Sequence, residues 1–427
     1  MAPRDSRLAR LCLAPLITGL AMTGGAPARA DVSGAINAGF SADDNVFRLG
    51  PEQTAPGEGC RRDTSAALGG ELQVALGQPL ADGDAIPSTW GGRLKASAAR
   101  TFYRCNTALD AASGQVDTRL ASPMIGPFTL AMQATLIHRL TPFEESVSAR
   151  INQQTLLRSD ARVNVRITPD IAVLIQPTYL FSHNKAESFK RLDYAQAGLD
   201  AGIVYTSPTS NSIGFRARQA FTRGSLPQIA TVGDSGVQTD LRNNARERLV
   251  ELDLRYAPGP FARLMVNLGY AWRRDRRDLP GILALLRSDY RGLVGSATLA
   301  LRKDDRLGLE LSINRQLASQ NFLLATSART TMYDAMLHKR VAGRLDVNVQ
   351  ARLVDQRSSY QLLEPTPLVV ANRTLTLALG GVWDLTDRLR ASLDLSHMER
   401  LRGTLIEPFA QNSARLQVTY QMGTPAP

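Results

Sequence analysis

The chain has 427 residues, of which 44% are apolar, 21% charged and 6% aromatic, and its formal net charge is +11. This is ordinary globular composition and excludes collagen-like, coiled-coil and disordered classes. Beyond the N-terminus no segment reaches the ~18 consecutive apolar residues of a spanning helix. What remains is either soluble domains or a membrane β-barrel, whose alternating faces conceal its apolar surface.

The N-terminus reads as an address. Arg4, Arg7 and Arg10 form a basic region, 11–22 is a short apolar stretch, and Ala28-Arg29-Ala30 is a small-residue cleavage site. The pattern predicts a signal peptide over 1–30 and a mature domain over 31–427. Removing 30 of the 427 residues leaves 397, and the loss of four Arg and one Asp brings the net charge from +11 to +8. Export places the chain in an oxidising compartment. Cys12 leaves with the signal, so Cys60 and Cys105 remain as one disulfide or two free thiols.

Past residue 31 the hydrophobic period is two. Cys60 stands just before a strand that begins near Ser65, and Cys105 just after one that ends near Phe102. These two strands pair, so both cysteines lie at the same end of one hairpin and a bridge between them is plausible. Downstream, Val250, Leu252, Leu254 and Tyr256 alternate with Glu251, Asp253 and Arg255. Leu345, Val347, Val349, Ala351 and Leu353 alternate with Asp346, Asn348, Gln350 and Arg352, and Leu389, Ala391, Leu393 and Leu395 with Arg390, Ser392, Asp394 and Ser396. Strict alternation is the strand template, and no sustained helical period appears. Pro, Gly, Asn and Asp clusters mark turns near 83, 125, 169, 209, 258, 304, 341 and 386, a spacing of about 44 residues. Between them lie longer polar segments such as 223–245, 274–288, 316–330 and 355–371. Tight turns alternating with long loops predict an all-β, antiparallel, up-and-down transmembrane barrel of about 18 strands (16–18) in the Gram-negative outer membrane. A sandwich of this length would need linkers and a propeller would need four strands per repeat, and neither pattern is present.

The two faces differ in chemistry. Tyr205, Tyr256, Tyr270, Trp272, Trp383 and Tyr420 fall near strand ends on the apolar face, where an aromatic girdle belongs. The polar face carries Arg93, Lys95, Arg162, Arg166, Arg216, Arg218, Arg255, Arg263, Arg302, Arg352, Arg390 and Arg415, answered by fewer acids, among them Glu71, Asp200, Glu251, Asp253, Glu310, Asp346 and Asp394. A water-filled lumen lined this way favours anionic solutes; the same residues also read as Arg–acid ladders that merely satisfy a barrel interior. Arg291 and Arg373, on the apolar face beside the outer loops, suit lipopolysaccharide phosphates as well as a solvated rim. The expected partners are outer-membrane lipid and lipopolysaccharide and the barrel assembly machinery; basic residues spread around a barrel give nucleic acid no patch.

Catalytic patterns are missing. His138, His183, His338 and His397 have no metal-binding spacing. Ser182-His183 and Ser396-His397 point to opposite faces of a strand and make no nucleophile–base couple. Asp43-Asp44 in the first loop is a weak cation candidate and more simply a solvated pair. The sequence therefore predicts a non-enzyme without cofactor or metal.

Three short motifs bear a family resemblance. Asp44-Asn45-Val46-Phe47-Arg48-Leu49 follows a first short strand, Asn152-Gln153-Gln154-Thr155 leads into 160–169, and Asp289-Tyr290-Arg291-Gly292-Leu293 opens a later strand. With the rhythm of the chain, these resemble the EpsL-like outer-membrane barrels of exopolysaccharide biosynthesis loci, within the beta-barrel porin class. The chain departs from the usual barrel C-terminus: Tyr420-Gln421-Met422 ends the strand and 423–427 follows it. The resemblance implies passive passage of an acidic polysaccharide and contact with its synthesis and export machinery. The alternatives are a docking barrel of such a complex and a general anion-preferring porin.

Overall fold

The computed structural model describes residues 30–50, 55, 59–77, 87–141, 152–186, 190, 193–224, 229–232, 237–240, 244–275, 290–304, 306–318, 328–360, 368–403 and 407–423. The expected signal peptide and the turn near residue 83 lie outside these residues, apart from Ala30, where the first strand begins. In chain order the strands are β1 (Ala30–Asp43), β2 (Asp63–Gly77), β3 (Gly91–Tyr103), β4 (Ala111–Ala121), β5 (Phe128–Leu140), β6 (Gln153–Arg166), β7 (Ile171–Asn184), β8 (Tyr194–Thr206), β9 (Ser212–Gly224), β10 (Ile229–Val232), β11 (Val237–Asp240), β12 (Ala245–Gly259), β13 (Ala262–Asp275), β14 (Tyr290–Asp304), β15 (Leu307–Ala318), β16 (Ala328–Ala342), β17 (Leu345–Tyr360), β18 (Leu368–Asp384), β19 (Leu389–Gly403) and β20 (Ala410–Met422).

Eighteen of these strands form one antiparallel sheet in which each pairs with its neighbour in the chain, β9 passing directly to β12. β1 pairs with β2 on one side and with β20 on the other, so the sheet closes. The expected up-and-down barrel is thus present. β10 and β11 pair only with each other, as a small hairpin in the connection between β9 and β12. Alternation does not reveal it, because four-residue strands are shorter than the pattern that marks a strand.

Side chains of most large apolar residues stand on one parity. Val32, Ile36 and Phe40 on β1, Leu68 and Leu72 on β2, Leu252 on β12 and Leu293 on β14 are all exposed, with Leu68 at 60%. Exposed aliphatic residues in unbroken register around a closed sheet are the wall of a barrel whose solvent on that side is lipid, and the barrel lies in the outer membrane. The opposite parity turns inward. By these registers Tyr205, Tyr256, Trp383 and Tyr420 stand on the outer face near the end that holds both termini. Tyr270 and Trp272 stand near the other end, their rings 4.8 Å apart.

Short connections lie at the end with the termini, which is the periplasmic end by the rule that outer-membrane barrels keep their tight turns there. β12–β13, β14–β15 and β16–β17 each carry a register irregularity beside such a turn. β2 ends at Gly77 and β3 begins at Gly91, so their connection covers 78–90. Gly77 opens it at φ +66°, with Trp90 carbonyl oxygen where a Cβ would sit, so only glycine fits there. On the extracellular side the strands run deeper into the polar segments than the sequence predicts. β15 continues to Ala318 and β16 starts at Ala328, while β17 reaches Tyr360 and β18 begins at Leu368. A barrel strand needs ~9–11 residues to cross lipid, and polar residues above the membrane keep the ladder because their backbone groups still gain by pairing.

The face assignment has a direct test. Leu311→Arg, outward at the middle of β15, is expected to cost about 2–4 kcal/mol, and its inward neighbour Ser312→Arg less than about 0.5 kcal/mol. Denaturant unfolding of barrels refolded into vesicles measures both; equal costs would mean that the faces are misassigned.

Candidate functional site

The extracellular mouth is built first from the seam. Asn45, 1% exposed, donates its side-chain amide to the carbonyls of Leu49 (2.9 Å) and Ala410 (3.0 Å) and accepts from Leu49 N–H (2.9 Å). This folds 45–49 back on itself and buries Val46, Phe47 and Leu49 with Leu109, from a single 3-10 turn at Thr107–Leu109. The knot packs on Tyr103, an inward-facing residue of β3, and so occupies part of the mouth. Asp43 and Asp44 are engaged by protein groups. Asp43 accepts from Asn45 N–H and from the amide of Gln411, and Asp44 accepts from the backbone and side-chain amides of Asn412 at 2.6 and 2.7 Å.

Cys60 and Cys105 are joined by a disulfide, with Cα atoms 6.0 Å apart and 45 residues between them in sequence. Its surroundings are tightly bonded. Asn106 exchanges two 2.8 Å hydrogen bonds with the backbone of Cys60. The Asp63 carboxylate accepts from the backbone of Thr64, Cys105 and Asn106 and from the Asn106 amide. The bridge therefore ties the loop that carries the knot to the top of the β2–β3 hairpin.

Below the mouth the interior is charged, and its cations and acids are unevenly distributed among the strands. All twelve cations singled out in the sequence take the inward parity, on strands from β3 to β20. On β8, β9, β12 and β13, acids match them closely. Arg218 grips Asp200 through two bonds of 2.7 and 2.6 Å, and Arg216 binds Asp253 (2.5 and 2.9 Å) and Glu251 (2.7 Å). Arg273 binds Glu247. Arg352 pairs with Asp334 (2.7 Å), Arg390 with Asp384 (2.7 Å), and Lys95 with Glu71 (2.9 Å). Arg415 donates to Gln417 (3.0 Å).

The strands β3–β6 differ. Their inward parity carries Arg93, Lys95, Arg119, Arg139, Arg158, Arg162 and Arg166 against only Asp117 and Asp160. Arg93 and Arg119 stand directly opposite each other across a strand pair, where like charges repel. Both acids accept from uncharged groups. Asp160 accepts from Gln133 (2.7 Å) and Gln176 (3.0 Å), and Asp117 from Thr135 (2.7 Å) and Gln115 (2.6 Å).

Into this wall is set a cavity of about 330 Å³, lined by Arg119, Gln133, Asp160, Arg162, Asn164, Gln176, Thr129 and Ser122, with Pro87 of the β2–β3 connection closing one side. It lies toward the periplasmic end, since Arg119 is near the end of β4 and Thr129 near the start of β5. Two guanidiniums with surrounding amides and hydroxyls outnumber the single Asp160 carboxylate and make a set suited to a carboxylate or phosphate. Of its residues only Arg162 is among those singled out in the sequence. Arg119 shares parity with Gln115 and Asp117, and that alternation within 111–121 is the signal that would find it.

Other residues considered in the sequence stand apart from this cavity. Arg373 bonds Asp355 (3.2 Å) on the outer face, and Arg291 opposes Trp272 there. His183 bonds Asp193 (2.7 Å), and Ser182, on the opposite face, accepts from Gln154 (3.1 Å).

No family model matches the chain, and no curated protein matches it. Solved barrels of similar fold include OccK1 (OpdK) of Pseudomonas aeruginosa, 13% identical, with 92% of this chain and 99% of that one covered at a TM-score of 0.46. OccK2 (OpdF) of the same organism, in complex with glucuronate, is 12% identical over 92% and 98% at 0.46. Acinetobacter baumannii OccAB3 is 11% identical over 92% and 99% at 0.44. The likeness is one of fold.

The bridge should register in solution. Reduction is expected to change the electrophoretic mobility of the unfolded wild type and leave Cys60→Ser unchanged. Loss of the bridge should destabilise the tethered loop by about 2–4 kcal/mol, read as faster protease cleavage within 44–62. A wild type indifferent to reductant would remove it.

Proposed function

We propose that the protein is a passive, anion-preferring outer-membrane channel that takes small carboxylate- or phosphate-bearing solutes. The one-sided basic wall of β3–β6, with the Arg119–Arg162 cavity set into it, is the observation that carries this reading. A solute entering past the knot meets a field that is nearly neutral on β8–β13 and positive on β3–β6, so it tracks along one wall. At the cavity Arg119 and Arg162 supply bidentate donors, and Gln133, Asn164 and Thr129 take up its hydroxyl or amide groups. Dehydration is offset by these contacts, and their shallow setting in an open wall lets the solute leave. No energy source is required.

Passage of an acidic polysaccharide, which the sequence resemblance implies, would draw on the same wall. A cavity at the low end of the range for small-molecule sites and a mouth partly filled by the disulfide-tethered knot favour a small solute over a moving polymer.

Planar-bilayer recordings test the proposal. Under a salt gradient the wild type should reverse on the anion side, and Arg119→Ser with Arg162→Ser should reduce the anion-to-cation permeability ratio by about threefold or more. Arg216→Ser with Arg218→Ser is a poorer probe, because it uncovers Asp200, Glu251 and Asp253. Unchanged selectivity in the first variant would overturn the assignment, and a silent wild type would point to a docking barrel.

A further inference from the structure

A concavity of about 1210 Å³ lies on the outside of the barrel. Its lining includes one row of the sheet, together with the intervening Asp43, Asp63, Gln350, Ala378, Ser396 and Ser413. Val349 and Ala351 of β17 oppose Leu379 and Leu377 of β18, which oppose Leu395 and His397 of β19. Leu395 and His397 oppose Ala414 and Asn412 of β20, and Ala414 opposes Ala42 of β1. Ala42 opposes Thr64, whose carbonyl accepts from Arg104 N–H (2.9 Å). Every side chain in this row has the outward parity. Six interstrand spacings make the row about 29 Å long. Because barrel strands tilt, it climbs from the aliphatic band on β17 to the extracellular rim above β2 and β3. Ala351, Ala414 and Ala42 keep its floor low.

The chemistry changes along the row. The lower part is aliphatic. At the top stand Arg62 and Arg104, both exposed and near each other at the end of the β2–β3 hairpin. Among the described residues neither has an acidic partner. Three acids also line this end, each accepting from neutral amides: Asp43 from Gln411, Asp44 from Asn412, and Asp63 from Asn106 and its neighbours. His397 is held by Asn412 (2.8 Å). One step deeper on the outer face of β3, Arg100 lies over the Phe102 ring at 5.0 Å, at head-group height.

We propose that this groove binds a phosphorylated, multiply acylated glycolipid of the outer leaflet. One phosphate is clamped between Arg62 and Arg104, and one acyl chain lies along the row over Leu377, Leu379 and Leu395. The occupant follows from position and charge. The aliphatic part of the groove faces lipid, and only a molecule anchored in that leaflet presents an anion at the rim and a hydrocarbon chain below it. A phosphomonoester suits two adjacent guanidiniums better than the singly charged diester of a phospholipid. The site lies on the opposite side of the wall from the lumen and does not depend on what the channel carries.

The full-length barrel, refolded in detergent and incubated with bisphosphorylated lipid A, tests this by native mass spectrometry. Wild type should retain the lipid. Arg62→Ser with Arg104→Ser should lose retention about tenfold, and the wild type should retain dephosphorylated lipid A as poorly. Ala414→Trp, which fills the floor and spares both arginines, should also weaken retention, and it stands in for the double variant if that variant does not fold. Inorganic phosphate at millimolar concentration should not displace the lipid. Full retention by the double variant or by Ala414→Trp would overturn the proposal, as would displacement by inorganic phosphate, which would mark a simple anion site.

Discussion

In lipid, a backbone N–H or C=O without a partner costs several kcal/mol, and everything else in this molecule is arranged around meeting that demand. A sheet meets it only by closing, so the first and last strands must find each other. They do so over ten residue pairs, from Gly34 opposite Met422 to Asp43 opposite Ser413. Where the ladder ends at the rim, side chains continue it: Gln411 donates to Asp43, Asn412 to Asp44, and Asn45 to the Ala410 carbonyl. Asn45 also turns 45–49 back into a buried knot. Seam and mouth are therefore one construction, and the disulfide at the top of the next hairpin holds the same loop from its other end.

Closure forces a second consequence. A strand that gives one face to lipid gives the other to the interior, and an interior too polar to pack must either pair its charges or hydrate them. On β8–β13 this chain pairs them, with bidentate geometry at Arg218 and a three-acid, two-arginine cluster around Arg216. On β3–β6 it supplies cations in excess and gives its two acids to amides and hydroxyls. Among the described inward residues, cations thus outnumber acids on one wall. That asymmetry separates a channel with a direction across its lumen from a barrel merely stuffed with ladders.

The architecture was legible because period-two alternation and turn chemistry are local. Strands such as 345–353 and 389–396 announce themselves, and the turns near 125, 169, 209 and 386 fall between strands as expected. The inward parity of the twelve basic residues was legible for the same reason. What stayed hidden depends on neighbours. In β4, Ala, Ser and Gly blur the contrast between faces, so Arg119 was passed over although it lies opposite Arg93. Ends of strands such as β15 and β17 looked like loop because their polar residues lie above the membrane on both faces. The sequence shows acids answering Arg216 and Arg218, and only the register assigns them, with Glu251 across from Arg216 and Asp200 across from Arg218. The short motifs that resemble an exopolysaccharide family describe a loop and two strand starts, features that many barrels need.

The sequence by itself determined that the chain is one closed sheet, which face of each strand meets lipid, and where the sheet turns, since each follows from residues within a few positions of one another. Only the tertiary structure decided which cations and acids meet, that inward cations outnumber inward acids on β3–β6, and that the outer wall is hollowed between β17 and β3. Those properties belong to residues brought side by side from different strands, and closing the barrel sets the register that pairs them.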